Sequence, residues 1–154
     1  MAGETRKYRA GFSLKGFVCA FLAMLPNVIW AIIPPANDIL AENSVEIPLL
    51  DLLMNICRIA LIALLVLVLN NKEEKGKKAQ GFLLSMAVCL LVYYVSWVMF
   101  YKGVANPWVF IIGLATAPSL YFVFLAIWLK NNPALFPAVV FAVAHITIIA
   151  IGFL

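Results

Sequence analysis

The chain has 154 residues, 66% of them apolar or aromatic and only 12% charged, with a mean hydropathy of +1.05. A soluble domain carries about 25% charged residues, so this chain lacks the polar groups to cover a water-exposed surface. A soluble enzyme, a disordered chain and a disulfide-stapled secreted domain are excluded, and an integral membrane protein remains.

Charges divide the chain into apolar stretches long enough to cross a bilayer. A spanning helix needs about 20 residues, because about 30 Å of hydrocarbon is covered at about 1.5 Å per residue. The first predicted span, 15–34, follows Lys15 and has no charge from Gly16 to Asn37. Its apolar stretch is longer than the core of a cleaved signal, carries Pro26 and Asn27, and shows no small-x-small cleavage site, so a retained anchor is expected. Pro34-Pro35-Ala36-Asn37-Asp38 closes it. The second span, 48–70, is equally apolar but holds Asp51 and Arg58, and a charged turn through Lys78 follows. Spans 80–101, 108–129 and 134–154 are separated by Asn106-Pro107 and Asn131-Asn132-Pro133, which carry turn chemistry.

All five must be helices, because lipid cannot satisfy free backbone groups; a barrel would show short alternating segments instead. Connections this short predict antiparallel neighbours in sequence order. The expected fold is an all-α integral membrane protein, a single five-helix antiparallel bundle.

Basic residues fix an expected orientation. Arg6, Lys7, Arg9, Lys15, Lys72, Lys75, Lys77, Lys78 and Lys130 fall on one side. The other side has Lys102 with Asp38, Glu42 and Glu46. The N-terminus is therefore expected in the cytoplasm and the C-terminus outside, in a bacterial cytoplasmic membrane. The net charge of +4 reads as a topology signal and an attraction to anionic lipid, not as nucleic-acid binding. Residues 1–14 form a basic arm, with Phe12 and Leu14 on its apolar side; it suits anionic lipid, though a plain topology determinant is the favoured reading.

Cys19, Cys57 and Cys89 lie in three different spans without CxxC spacing, which reads as helix packing. No GxGxxG, P-loop, HExxH or GxSxG motif occurs, so no cofactor and no catalytic residue is assigned. The single histidine, His145, has only Asp51 at similar depth, and no metal site is expected.

The polar residues inside the spans are the informative ones. Positions three and four apart share a helix face. Asn27 follows Cys19 and Ala23 on one stripe; Ser85, Cys89, Tyr93 and Ser96 make another; Gly113, Ala117 and Tyr121 a third; Ala138, Ala142 and His145 a fourth. Asp51, Asn55 and Arg58 occupy i, i+4 and i+7 of the second span, hence one face. Asp51 and Arg58 are about 10.5 Å apart along the axis, so Arg58 is expected to reach toward Asp51 with Asn55 as the bridge. A charge at mid-membrane costs about 2.5–3.5 kcal/mol on insertion scales and marks a functional candidate. The polar positions gather in the outer half, which predicts a pocket opening outward and lined by Asn27, Asp51, Asn55, Arg58, Tyr93, Ser96, Tyr121 and His145. Pro26 and Pro118 free the carbonyls of Leu22 and Leu114. Trp30, Trp97 and Trp108 read as outer interfacial anchors and Trp128 as an inner one, with Trp97 also placed to roof a pocket.

Three functions compete. The first is binding or transport of a small anionic or amphipathic ligand, alone or as a homo-oligomer. The second is a non-catalytic assembly, immunity or regulatory partner whose polar residues only hold helices together. The third, ranked last, is an intramembrane enzyme using Asp51 and His145. Asn106-Pro107-Trp108-Val109-Phe110 resembles the Pro-Trp-x-Phe pattern of the tryptophan-rich sensory (translocator) family. That pattern lies much earlier in the family, and the rest of the chain does not follow it, so the chain is not assigned there.

Overall fold

The computed structural model describes residues 8–70 and 76–154. Five helices are long and apolar enough to cross a membrane: Leu14–Ile32, Pro48–Leu67, Lys77–Tyr101, Val109–Trp128 and Asn132–Phe153. The protein is a multi-pass helical membrane protein. In chain order the elements are β1 (Tyr8–Ala10), α1 (Leu14–Ile32), α2 (Ile39–Glu42), α3 (Pro48–Leu67), β2 (Val68–Asn70), α4 (Lys77–Tyr101), a π-helical stretch Val109–Thr116 running into α5 (Ala117–Trp128), and α6 (Asn132–Phe153).

The fourth span is the centre of the bundle. Of its most apolar stretch 67% is buried, against 17–33% in the other four. It packs on α4 and α6 and touches α1, while α3 packs chiefly on α6 and meets α1 on its other side. The second and third spans are thus held mainly by the fifth and fourth, rather than by each other as their sequence order suggests. Gly113 makes the closest approach possible, since a Cβ there would overlap the Ser96 side chain.

The second span ends earlier than 70, and its last predicted residues are strand. The reason is where the orphan carbonyls of the last turn go. Ser13 donates its N–H to Val66 (2.7 Å) and Gly11 to Leu67 (3.0 Å). The Asn131 amide reaches Leu64 and Val68 at 2.8 and 3.1 Å. With its carbonyls drawn outward, the chain leaves the helix and Val68–Asn70 pairs antiparallel with Tyr8–Ala10. Within the N-terminal arm, residues 8–10 are thus a strand edge, and residues 1–7 lie outside the described residues. Ser13 then caps α1, accepting from Gly16 N–H at 3.0 Å.

Arg9, Lys15 and Lys130 share this end of the bundle, with Lys15 Nζ 6.0 Å from the Trp128 ring. Arg6, Lys7, Lys72 and Lys75 lie outside the described residues. At the opposite end Gly103 (φ 77°) stops α4 in the left-handed conformation, and α2 packs onto an aromatic cluster. There Ile39 meets Trp97, Phe100 and Phe110, and Phe110 stacks on Phe153 with ring centres 4.1 Å apart. Asp38 caps α2 through Ala41 N–H and accepts the Trp30 indole N–H at 2.9 Å.

Pro26 and Pro118 have their freed carbonyls met or faced by another span. Tyr94 Oη donates to Leu22 O, four residues before Pro26, at 2.7 Å. Pro118 is the second residue of α5, and the π-helical turns before it absorb the missing donor. Thr116 and Ser119 hydroxyls return to the carbonyls of Ile111 and Ala115, and the Leu114 carbonyl faces His145.

Candidate functional site

Two cavities lie side by side between α1, α3 and α6. The larger is a cleft of about 570 Å³, well within the range of about 300–1,000 Å³ typical of small-molecule sites. Asn27 and Trp30 of α1 form one wall, and Asp51, Asn55 and Arg58 of α3 form the other. His145, Leu114 and Trp97 make the back. The smaller chamber, about 70 Å³, continues toward the β1–β2 end between Ala23 and Leu61. Asn27, Arg58, Leu114 and His145 border both.

The i, i+4, i+7 spacing on α3 places its three polar residues on the cleft wall together, but not as a bridged pair. Arg58 donates Nη2 to Asn55 Oδ1 at 2.8 Å. Asp51 turns the other way and accepts Ile47 N–H at 2.8 Å, where a carboxylate satisfies an orphan donor of the helix start and meets the positive end of its dipole. Each charge is thus held locally. Among the described residues no carboxylate pairs with Arg58, whose guanidinium has five N–H donors and borders both cavities.

Asn27 donates Nδ2 to Tyr93 Oη at 2.7 Å, so Tyr93 lines the inner chamber rather than the cleft. His145 lies nearly parallel to Phe141, with ring centres 5.1 Å apart. Two of the expected residues line neither cavity. Ser96 is buried against Gly113 and donates to Val92 O at 2.8 Å. Tyr121 spends its hydroxyl on Cys19 O at 2.9 Å.

The cleft also contains residues that polarity at helix depth does not single out. Trp30 and Trp97 lie with ring centres 6.3 Å apart at 47°; Trp97 is the expected roof, whereas the position of Trp30 near a helix end reads as an interfacial anchor, and only the rings' contact turns it inward. Asn43, Ser44 and Glu46 come from the connection between α2 and α3, which carries no periodic signal. Chemically the cleft offers a fork of cationic donors at Arg58, amide groups at Asn27 and Asn55, an imidazole, two indoles, and the carboxylates of Glu46 and Asp51 toward the start of α3. No family model, curated protein or solved structure matches this chain.

Proposed function

We propose that this protein binds a small anionic or amphipathic ligand in the cleft, and that Arg58 is its recognising group. One observation carries the reading. A guanidinium in a membrane span, which costs about 2.5–3.5 kcal/mol near the bilayer centre, is held by a single neutral side chain and lines a cleft of ligand size. A purely structural arginine in a span pairs with a carboxylate or with backbone carbonyls, and among the described residues Arg58 has neither. The role is binding, with any transport achieved as an oligomer or with a partner, rather than catalysis.

The bundle is read as antiparallel with the N-terminus in the cytoplasm of a bacterial cell, which puts the cleft in the outer half of the membrane. Lys102, Asp38, Glu42 and Glu46 then face outward. Support comes from the gathering of Arg9, Lys15 and Lys130 at the end away from the cleft. Cysteines placed at Lys102 and at Lys130 should react from opposite sides with an impermeant maleimide.

Trp30 and Trp97 supply a signal for binding. Titration of the detergent-purified protein with inorganic phosphate, glycerol 3-phosphate and a short-chain phosphatidylglycerol should change indole fluorescence saturably for at least one of them. The change should vanish in Arg58→Gln and survive in Arg58→Lys. A flat response to all three probes would sink the proposal. It would favour the second reading, an assembly or regulatory partner, to which the packing of Gly113 on Ser96 and the bond from Tyr121 to Cys19 already lend weight.

A further inference from the structure

We infer that the cleft opens sideways into the bilayer between α1 and α3, and that its ligand is a phosphate-bearing membrane amphiphile whose headgroup rests on Arg58 while its chain stays in lipid. This rests on the binding reading above and names its ligand class and its route.

The route follows from how α1 and α3 diverge. At the β1–β2 end they touch: Gly16 lies so close to the Leu65 carbonyl that a Cβ would overlap it. One to two turns on, the small chamber separates Ala23 from Leu61. Further on, the full cleft separates Asn27 and Trp30 from Asp51 and Arg58. The two helices form a wedge that widens with distance from Gly16.

The back of the wedge is closed and its end is crossed by chain. Trp97, Leu114 and His145 fill the back. The connection that joins α1 to α3 crosses the end, where half-buried Leu40 and Val45 line the cleft beside exposed Asn43, Ser44 and Glu46. That connection is seated on the bundle: Ile39 is buried among Trp97, Phe100 and Phe110, and Gly152 of α6 lies against the Asn43 carbonyl. The gap between α1 and α3 is the side flanked by exposed apolar residues.

Helical geometry gives the same direction. At about 100° per residue, the Asp51–Asn55–Arg58 stripe lies between two different arcs. On one flank are Cys57, Leu61 and Leu65, all buried against the bundle. On the other are Leu52, Ile56 and Ile59, exposed by 57%, 56% and 68%. Asn27 is placed likewise, with buried Pro26 to one side and exposed Val28 and Ile32 toward the other. The polar wall of each helix therefore runs directly into a face made for lipid. A water-soluble anion has no reason to meet that border; an amphiphile has its polar and apolar parts on the two sides of it. The guanidinium fork matches a phosphate in two-point geometry, and the cleft's amides at Asn27 and Asn55 add neutral donors for its remaining oxygens.

The test uses the whole protein in nanodiscs with a phosphatidylglycerol carrying a diazirine in its acyl chain. Mass spectrometry locates the photo-adducts, and inorganic phosphate and glycerol 3-phosphate serve as soluble probes read by indole fluorescence. Adducts are expected to concentrate on Val28–Ile32 and Leu52–Ile59. Arg58→Gln should lower them about tenfold or more, the size expected for losing a charge-assisted hydrogen bond, and Arg58→Lys should largely keep them. Should Arg58→Gln melt as an unfolded protein, Ile59→Trp is the second variant; it adds bulk at the mouth on an exposed position and should lower the adducts while leaving the melting temperature unchanged. If the soluble probes bind in an Arg58-dependent manner while adducts spread evenly around the bundle, the binding reading stands and lateral entry is overturned. If neither lipid nor soluble probes depend on Arg58, both are overturned.

Discussion

Tyr94 of α4 donates its hydroxyl to the carbonyl of Leu22, the one carbonyl in α1 that Pro26 deprives of its usual partner. The proline and the tyrosine are one device. Pro26 removes the N–H that would close the turn, and a side chain from another span supplies the donor, as helices in lipid require. Their coupling is measurable. Tyr94→Phe should destabilise the protein by about 0.6–1.7 kcal/mol, the span found for hydrogen bonds between membrane helices. In a Pro26→Ala background, where a restored backbone N–H again serves Leu22, the same change should cost much less. A double-mutant cycle by denaturant titration in micelles reads the difference. Equal costs in both backgrounds would show that the two residues act separately.

Asn131 ties the same logic to the other end. Its Oδ1 caps α6 by accepting Ala134 N–H at 3.2 Å, while its Nδ2 meets the carbonyls of Leu64 and Val68. Asn131→Ala loses the cap, about 1 kcal/mol, and removes the side-chain donor from both carbonyls, of which Leu64 keeps the Val68 N–H. Asn131→Asp keeps the cap acceptor but turns a negative oxygen on those carbonyls in a site only 1% exposed. Aspartate should therefore be at least as damaging as alanine. Thermal denaturation of the two variants decides it, and an aspartate variant as stable as wild type would show that the cap is all that matters.

How much of this was legible beforehand depends on which interaction decides each feature. The five spans rest on composition, which no tertiary contact overrides in lipid. The Asp51–Asn55–Arg58 face rests on helical period alone, and the structure places it on one wall of the cleft. The end of the second span was illegible at 68–70 because its carbonyls are claimed by Gly11, Ser13 and Asn131, residues distant in sequence. Period gives a face but not the neighbour it meets. Ser96 shares a stripe with Tyr93, yet it ends against Gly113, while Tyr93 reaches Asn27 one turn away. Local side-chain partners are equally hidden: nothing in the spacing tells that Asp51 serves Ile47 rather than Arg58. The connection across the cleft's end, from Asn43 to Glu46, has no pattern to read at all.

The Gly113–Ser96 contact predicts a paired rescue. Gly113→Ala forces a methyl into the Ser96 side chain at the most buried span, and overpacking of this kind costs about 1–3 kcal/mol. Adding Ser96→Gly opens the space and should recover a large part of it. Differential scanning of the single and double variants gives the comparison, and a double variant no better than Gly113→Ala alone would place the strain elsewhere.

α1 is expected to be the first span to come loose. Besides Gly16 against Leu65 and Lys15 by the Trp128 ring, four tyrosines attach it to other spans: Tyr121 to Cys19, Tyr94 to Leu22, Tyr93 with Asn27, and Tyr101 to Ile33. Tyr101 serves the carbonyl at the helix's own end, an orphan by position. Most of the helix surface is otherwise turned outward, with only Gly16, Ala20, Ala23 and Pro26 buried. The variant with Tyr94, Tyr101 and Tyr121 all changed to Phe keeps every ring and loses three hydroxyls, so the apolar packing of α4 and α5 is preserved. Hydrogen–deuterium exchange should rise across Leu14–Ile32 while Lys77–Tyr101 and Val109–Trp128 stay protected. The order matters for the cleft as well, because α1 carries one of its walls, Asn27 and Trp30, and a loosened α1 widens the wedge from the side on which an amphiphile would enter. If exchange instead rises uniformly over all five spans, α1 is bound into a single cooperative unit and the hydroxyls are not what holds it.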